Sequence, residues 1–432
     1  MPDYYLSSDT FAGANRAALL ALQRLEAHGR SAWIVGGAVR DALLGLPIGD
    51  IDIATEATPE EMHAIFRKER ICGDGARWGS LRIELCGRWI EVTTYRTEGA
   101  YRNGRSPEQV RYTRSLEEDL VRRDFTINAM AWNPTGGLLD RFGGAADLAH
   151  RRLRSVGDPR QSMYEDALRM LRAIRFAVRF DLALEPELQA AIRENAPRIR
   201  LLSARRRRGE LDAMWLGERP QDAIDRLWEY GLLSALFPEF EACGARERRR
   251  AGRCMERMPR TAADRWTGFL FGMTSASSNS LCRRTASFPF RQWSFSAREE
   301  KLIRRMLEAA DAFFGPLTRG ALQPWREALG EHIRSVLFLL EECGAAEAAA
   351  RVGAQLEQMR REHIPIRRQE LAICGDELKK MGYNEGTALG DELAFLFSEV
   401  VEGRIPNEGR ALKKHAAEHL VSQPAKKKKD RG

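Results

Sequence analysis

The sequence predicts an α+β protein: an N-terminal head with a mixed β-sheet and helices, followed by an all-α region. Two observations predict this class. In the head, segments with helical apolar spacing alternate with short segments that are typical of strands. Beyond residue 160 the strand signals nearly vanish and helical spacing continues. We therefore expect a head (1–155), a helical neck (156–215), a helical body (216–330) and a helical tail (331–432).

The head begins with segments that lead into a glycine turn. Residues 14–28 have helical apolar spacing, and SAWIVGG (31–37) is a short apolar strand that runs into a turn. AVRDALLG (38–45) has a helical pattern and ends in glycine, and DIDIAT (50–55) alternates as a half-buried strand does. The predicted order is helix, strand, turn, helix, strand.

A capped helix and a hairpin complete the predicted head. Thr58 is the expected N-cap of the next helix, because its hydroxyl can accept a hydrogen bond from the first turn. The β-rich segments GSLRIELCG (79–87) and RWIEVTTYR (88–96) predict a hairpin whose turn is at Gly87 and Arg88.

Charge and composition indicate the class of binding partner and the cellular compartment. Lys and Arg number 69 against 61 Asp and Glu, which gives a net charge of +8. Much of the excess lies in residues 198–210, 246–260 and the lysine-rich end 424–432, a distribution that favours a nucleic-acid backbone as partner. The sequence contains no apolar run long enough to predict a membrane span. Seven cysteines without a CxxC pair, and an N-terminus without a secretory pattern, predict a cytoplasmic protein.

Two aspartates and one glutamate are candidate metal ligands. Asp50 and Asp52 are two residues apart, so on a strand their carboxylates point to the same side and repel each other. Mg²⁺ would relieve this repulsion, since it binds a few carboxylates and keeps positions for water and phosphates. Glu91 could add a third carboxylate from a neighbouring strand, or it could be a surface acid.

The glycine turn that precedes these carboxylates is a candidate phosphate site. Gly36 and Gly37 allow the backbone to approach a phosphate closely, and the following helix offers N–H groups and Arg40. A glycine pair alone is more often a plain turn, and two aspartates alone are more often a surface acid pair. Their proximity favours nucleotide chemistry.

At this point the sequence resembles a known family. Its ordered motifs resemble those of the class II tRNA nucleotidyltransferases, the CCA-adding enzyme and poly(A) polymerase family within the DNA polymerase β superfamily. Weaker likeness continues in residues 228–240 and 402–412. The motifs are GGAVRD (36–41), GDIDIAT (49–55), IEVTTYR (90–96), RRDFTINAM (122–130) and EDALRMLRAIRF (165–176).

The resemblance implies a role for each matching residue. Asp50 and Asp52 match the metal-binding carboxylates and Glu91 matches the third acid. Asp166 and Arg169 match the pair that reads the base of CTP or ATP. Gly37 and Arg40 match positions that hold the triphosphate. Arg122, Arg123 and Asp124 match the motif that contacts the incoming nucleotide and checks for a ribose. Arg172 and Arg175 match further nucleotide contacts, and Glu165 lies beside the base-reading pair.

Helical spacing gives the base-reading motif a physical basis. Residues 164–180 predict one continuous helix, on which Asp166, Arg169, Arg172 and Arg175 follow one another at intervals of three. Carboxylate and guanidinium groups together present acceptors and donors in a fixed geometry, as a base edge does. A helix with ordinary salt bridges has the same pattern, and the motifs upstream favour the base reader.

The resemblance implies template-independent addition of CCA to the 3′ end of tRNA from CTP and ATP, with Mg²⁺ as cofactor. The neck would read the base, and the body and tail would bind the acceptor arm of tRNA. The loop at 97–120, which CC-adding enzymes of this class typically lack, is present. An enzyme that adds only the final A and a poly(A) polymerase remain alternatives. The intact carboxylates disfavour a non-catalytic RNA-binding protein, and the oligomeric state is not predicted.

Three departures from the family pattern accompany the resemblance. Arg77–Ser80 replaces a His-Gly-Thr-like turn, and LSARRRRGEL (202–211) replaces a more acidic stretch. In the loop, Asn103 and Gly104 stand where close relatives carry Asp and an aromatic residue. Because this loop helps the family to switch from C to A, these two residues bear directly on A addition.

Overall fold

The computed structural model describes residues 6–73, 79–98, 101–102, 106–107, 110–274 and 288–422. It comprises two compact units, Met1–Glu241 and Ala242–Gly432. Within the described residues, no helix combines the length and the apolar character that crossing a membrane requires. Three features named above lie outside the described residues: Arg77 with Trp78, Asn103 with Gly104, and the lysine-rich end 424–432.

The first unit is built on a seven-stranded mixed sheet, which confirms the predicted α+β head. Among the neighbouring strand pairs of the described sheet, β2 and β5 are parallel and all the others are antiparallel. In spatial order the strands are β11 (Gly137–Leu139), β10 (Ala131–Asn133), β1 (Ala32–Val35), β2 (Asp52–Thr55), β5 (Arg88–Thr94), β4 (Ser80–Leu85) and β3 (Arg70–Cys72).

Short two-stranded ladders accompany this sheet. They pair β6 (Arg96–Glu98) with β9 (Val110–Tyr112), β7 (Tyr101–Arg102) with β8 (Ser106–Pro107), and β12 (Arg152–Leu153) with β13 (Ala183–Leu184).

The described helices of the first unit pack beside the sheet and then continue as an all-helical segment. They are α1 (Ser8–Ala27), α2 (Gly37–Leu43), α3 (Pro59–Ile65), α4 (Leu116–Val121), α5 (Gly144–Ala149), α6 (Pro159–Glu165), α7 (Leu168–Phe180), α8 (Pro186–Asn195), α9 (Ala204–Trp215), α10 (Pro220–Glu229) and α11 (Leu232–Leu236), with 3₁₀ turns at Thr126–Asn128, Ala196–Leu201 and Pro238–Phe240.

Helix α1 covers one face of the sheet and leaves part of the other face open. It contacts β1, β2, β4 and β5. Side chains of β4 and β5 alternate accordingly: Ile83 and Val92 are buried, whereas Arg82, Trp89 and Glu91 are exposed. A strand with period two thus places one apolar set in the core and one polar set on the open face.

Local chemistry explains the hairpin and the helix cap. Cys86 and Gly87 both have positive φ, 51° and 73°, as the two-residue turn of a tight hairpin requires. The predicted hairpin is therefore present, but its turn is one residue earlier than predicted. The hydroxyl of Thr58 accepts a hydrogen bond from the Glu61 amide at 3.3 Å, which confirms the predicted N-cap.

The second unit is helical throughout its described residues. Its helices are α12 (Ala245–Arg257), α13 (Ala262–Met273), α14 (Ala297–Ala312), α15 (Arg319–Leu329), α16 (Ile333–Glu342), α17 (Ala346–Arg361), α18 (Gly375–Lys380), α19 (Thr387–Val401) and α20 (Gly409–Ser422), with 3₁₀ turns at Phe290–Trp293, Gly330–His332 and Arg368–Glu370. This agrees with the predicted all-α region, while the finer division into neck, body and tail stays a prediction.

Candidate active site

The predicted carboxylates lie at an open cleft on the exposed face of the sheet. Strand β2 begins at Asp52, so Asp50 precedes the strand in contrast to the prediction, yet both residues are exposed while Ile51 and Ile53 are buried. The parallel pairing of β2 with β5 sets Asp52 directly beside Glu91. All three acids line a cleft of about 520 Å³.

Neighbouring carboxylates in this cleft affect the ionisation of Asp52. Desolvation by the surrounding protein, followed by repulsion from Glu91, raises the pKa of Asp52 above its ordinary value. Ser80 donates a hydrogen bond to Glu91 Oε1 at 2.7 Å and so fixes that carboxylate. Within the described residues no group of three or more Asp, Glu, His or Cys side chains is placed so that it could hold a metal ion. Mg²⁺ needs only one or two carboxylates, because water and substrate phosphates supply its other ligands.

The glycine turn lies against an arginine that faces the carboxylates. Gly36 has φ 71° and ψ −127°, a conformation for which glycine is suited. A Cβ atom at this position would lie 2.9 Å from Arg123 Nη1. The positive charge of Arg123 acts on Asp52 and offsets part of the rise in the pKa of Asp52. Its Nε is buried and has no hydrogen-bond partner among the described residues.

Arg40 is turned into the protein and not toward the cleft. Its residue surface is 4% exposed, and Nε and Nη2 donate to Asp41 Oδ1 at 2.9 and 2.7 Å. Nη1 donates to Asn128 Oδ1 at 2.5 Å. The guanidinium packs over the rings of Phe176 and Phe180, and burial lowers its pKa. These contacts fix Arg40 as a link between α2, the 3₁₀ turn and α7.

The Arg-Arg-Asp motif forms two ion-pair systems. Arg122 Nη2 and Arg123 Nη2 donate to the buried Asp119 carboxylate at 2.7 and 3.2 Å. Burial alone would raise the pKa of Asp119, but the two arginines hold it below its ordinary value. Asp124 is buried and accepts from Asn128 Nδ2 at 3.0 Å and from Arg172 Nε at 2.6 Å.

The predicted continuous helix at 164–180 is wrong near its start, because it is interrupted at Asp166 and Ala167. Helix α6 ends at Glu165, Asp166 is extended with φ −129° and ψ 101°, and α7 begins at Leu168. The physical reason is a local side-chain hydrogen bond that competes with the helix: Asp166 Oδ1 accepts from the Leu168 amide at 3.0 Å. Its other oxygen accepts from Arg206 at 2.9 Å.

The predicted arginines do follow one another along α7, and each is held by a partner. Arg169 is nearly buried and donates to Ser162 Oγ at 2.8 Å and to the Arg122 carbonyl at 2.9 Å. Arg175 Nε donates to Glu210 at 2.7 Å. Glu165 lies 3.8 Å from the Arg169 guanidinium.

Sequence reasoning missed several residues that organise the site. Asp119 carried an available signal, since it lies three and four positions before the two arginines, a spacing that brings side chains together on a helix. Asn128 lies inside the recognised motif RRDFTINAM. Arg206 and Glu210 gave no local signal, because they meet their partners across 40 and 35 residues of chain.

Comparisons with known proteins identify the fold and the family. The model of the Poly A polymerase head domain matches residues 32–154, that of the probable RNA and SrmB-binding site of polymerase A matches 181–243, and that of tRNA nucleotidyltransferase domain 2 matches 260–416. These segments span most of the described chain.

Whole-chain relatives agree with these domain matches. The CCA-adding enzyme of Geobacillus stearothermophilus is 36% identical, with 90% of this chain and 94% of that protein covered. The CCA-adding enzyme of Levilactobacillus brevis is 34% identical over the same shares. The crystal structure of the Bacillus stearothermophilus CCA-adding enzyme in complex with CTP has a TM-score of 0.71 at 29% identity and covers 94% of this chain and 98% of its own. The chain belongs to the CCA-adding enzyme family of class II tRNA nucleotidyltransferases.

Proposed function

We propose that this protein adds C, C and A to the 3′ end of tRNA from CTP and ATP, without a nucleic-acid template and with release of pyrophosphate. The observation that carries this function is the placement of Asp52 beside Glu91 in a cleft that Asp50 also lines. The CCA-adding relatives cover nearly the whole chain and supply the substrate class.

Asp50, Asp52 and Glu91 are the residues that would hold divalent cations, and we propose Mg²⁺. Burial and, after it, repulsion from Glu91 raise the pKa of Asp52, and a bound cation would offset that repulsion. When bound, the ion supplies Lewis-acid activation of the attacking hydroxyl and charge neutralisation at the leaving pyrophosphate. The hydrogen bond from Ser80 would restrict the orientation of the Glu91 carboxylate.

Arg123 and the turn at Gly36 and Gly37 would hold the triphosphate. The Arg123 guanidinium lies against Gly36 and acts electrostatically on Asp52, which suits an anionic group beside the cation. Arg40 acts as a positioning residue in this proposal, because its donors already bind Asp41 and Asn128.

The residues Asp166 and Arg169 would read the incoming base. Asp166 is fixed by the Leu168 amide and by Arg206, and Arg169 is fixed by contacts with α6 and with the Arg-Arg-Asp motif. A carboxylate and a guanidinium held in this manner present an acceptor and donors in constant positions. Arg122, Asp124, Glu165, Arg172 and Arg175 support this reader through the ion pairs described above.

The acceptor arm of tRNA is the proposed partner of the basic helical part, which would bind its phosphates. We assign the activity to the cytoplasm, where tRNA and nucleoside triphosphates meet. Addition of only the terminal A is the second candidate, because Asn103 and Gly104 replace the residues that accompany switching in the family.

A stepwise extension assay tests the proposal and separates the candidates. Three tRNA transcripts that end before CCA, after C and after CC are incubated with Mg²⁺ and with CTP, ATP or both. We expect growth of the first transcript by C, C and A, followed by arrest. Extension of only the CC transcript, and only by A, would establish an A-adding enzyme. Continued A addition would establish a poly(A) polymerase.

A further inference from the structure

An exposed tryptophan lies on the same open strand face as the carboxylates. Trp89 is 38% exposed, although large apolar side chains of the sheet are mostly buried. It lies two residues before Glu91 on β5, so both side chains point to the same face about 6.6 Å apart. Trp89 also lines the cleft that contains Asp50 and Asp52.

The strand register places this ring one row away from the reacting centre. One row of the sheet contains Asp52, Glu91 and Arg82, because Asp52 pairs with Glu91 and Glu91 pairs with Arg82. Asp50 precedes β2, and it lines the same cleft as Trp89. A nucleotide is about as long as the separation of Trp89 from Glu91, so a base over the ring can keep its ribose at the carboxylates.

Two arginines and one glutamate neighbour the ring: Glu84 pairs with Trp89 across β4 and β5, and Arg70 forms an ion pair with Glu84 at 3.1 Å. The guanidinium carbons of Arg82 and Arg70 lie 5.5 and 5.7 Å from the centroid of the Trp89 ring. Arg82 and Arg88 line the same cleft. An aromatic face with flanking arginines is the combination that binds single-stranded nucleotides, through stacking on the base and attraction of the phosphates.

We propose that Trp89 is the stacking platform for the base of the 3′-terminal nucleotide of the RNA acceptor, with Arg82 at its phosphate. This inference rests on the proposed function, in which the terminal hydroxyl must reach Asp52 and Glu91. The incoming base has its own proposed site at Asp166, so the ring serves the acceptor strand. Stacking is tolerant of base identity, which suits an acceptor whose terminal base changes with every step.

The test is the binding of a tRNA whose terminal base can be removed. Labelled transcripts that end before CCA carry either an intact or an abasic terminal nucleotide, and fluorescence anisotropy in EDTA gives Kd without any transfer. Wild type is compared with Trp89→Ala and Trp89→Phe. Trp228→Ala is the matched control, because Trp228 is an exposed tryptophan (54%) on helix α10 that does not line the cleft.

The expected result is a non-additive pair of losses. Trp89→Ala should weaken binding of the intact transcript by roughly 5- to 100-fold, the range for loss of one base stack. Removal of the terminal base should weaken tRNA binding by the wild type to the same extent, and it should leave tRNA binding by Trp89→Ala nearly unchanged. Trp89→Phe, which keeps an aromatic face, and Trp228→Ala should bind within about threefold of wild type.

Other outcomes would overturn the inference. Additive losses, or equal binding by Trp89→Ala and wild type, would show that the ring does not contact the terminal base. A higher KM for CTP with unchanged tRNA binding would assign the ring to the incoming nucleotide. A wild-type protein that binds tRNA but does not extend it would refute the proposed function alone, since the binding comparison does not require transfer.

Discussion

Replacing Arg172 by methionine should destabilise the first unit by leaving a buried carboxylate without its cation. Arg172 Nε donates to Asp124 Oδ2 at 2.6 Å, and the Asp124 side chain is only 9% exposed. Burial alone would raise the pKa of Asp124, but the Arg172 charge and hydrogen bonds hold it below its ordinary value. Methionine keeps most of the side-chain volume and removes only the charge and the donors.

The expected loss is about 2–3 kcal/mol of the free energy of unfolding. Removal of one partner from a buried ion pair typically costs about 3–5 kcal/mol. Two facts reduce this value: the Arg172 side chain is 33% exposed, and Asp124 keeps its hydrogen bonds from Asn128 Nδ2 and the Phe125 amide. For a unit of this size the loss corresponds to a fall in Tm of roughly 4–12 °C.

Differential scanning calorimetry of Arg172→Met measures this shift against a matched control. Arg151→Met breaks an ion pair of similar length, 2.7 Å, whose side chains are 71% and 53% exposed. Solvent screens such a pair, so the control should change Tm little. Equal shifts in the two variants would refute the reasoning that burial gives the Arg172–Asp124 pair its energy.

The same pair predicts the direction of a pH effect. Because the folded-state pKa of Asp124 is lowered, its contribution is present above the unfolded value of about 3.9 and is lost as pH falls through the folded value. The Tm difference between wild type and Arg172→Met should therefore be constant near neutral pH and shrink in acid. A difference that grows in acid would contradict this assignment.

Four substitutions test other parts of the molecule. Asp52→Asn should lower nucleotide incorporation by about a thousandfold or more, with tRNA binding retained, because it removes a charge at the reacting centre. Asp166→Ala should reduce the preference for CTP and ATP over GTP and UTP in single-nucleotide extension, and unchanged selectivity would contradict base reading by this residue. Gly36→Ala should cost about 1–3 kcal/mol in thermal unfolding and also slow transfer, because φ is 71° and the added Cβ would lie 2.9 Å from a guanidinium nitrogen. His332 has a raised pKa because it bonds to Asp264, so its stabilising effect, measured against His332→Gln, should be present below about pH 6.5 and decline as pH rises through the raised value.

Periodicity predicted the strands that carry the carboxylates, because one face of each strand is buried. Ile51 and Ile53 are buried while Asp50 and Asp52 are exposed, and Ile83 and Ile90 enter the core from β4 and β5. Burial of alternate residues is a local property, so a local pattern can reveal it. The hairpin turn was misplaced by one residue because Cys86, a residue without a turn preference, adopts positive φ beside Gly87.

The arginines were harder to place, since an arginine side chain has the same sequence signature whether it faces a ligand or the interior. Arg40 was expected at the triphosphate, yet it stacks on Phe180 with its guanidinium carbon 4.4 Å from the ring centroid. The aromatic partner lies in α7, far along the chain, and no local pattern records that contact. Helical spacing likewise could not show that Asp166 accepts the Leu168 amide and interrupts the helix.

That interruption has a consequence for choosing a base without a template. A flexible carboxylate on a helix surface would lose conformational entropy on binding each base and would accept several hydrogen-bonding patterns. Asp166 is instead held at both oxygens, by the Leu168 amide and by Arg206. The remaining lone pairs of this carboxylate therefore point in fixed directions. A base that presents a carbonyl in place of an amino group offers no donor to them, so the carboxylate stays without that hydrogen bond. If this is the source of selectivity, Arg206→Gln should admit GTP and UTP more readily than wild type, whereas a variant of the exposed Arg160 should not.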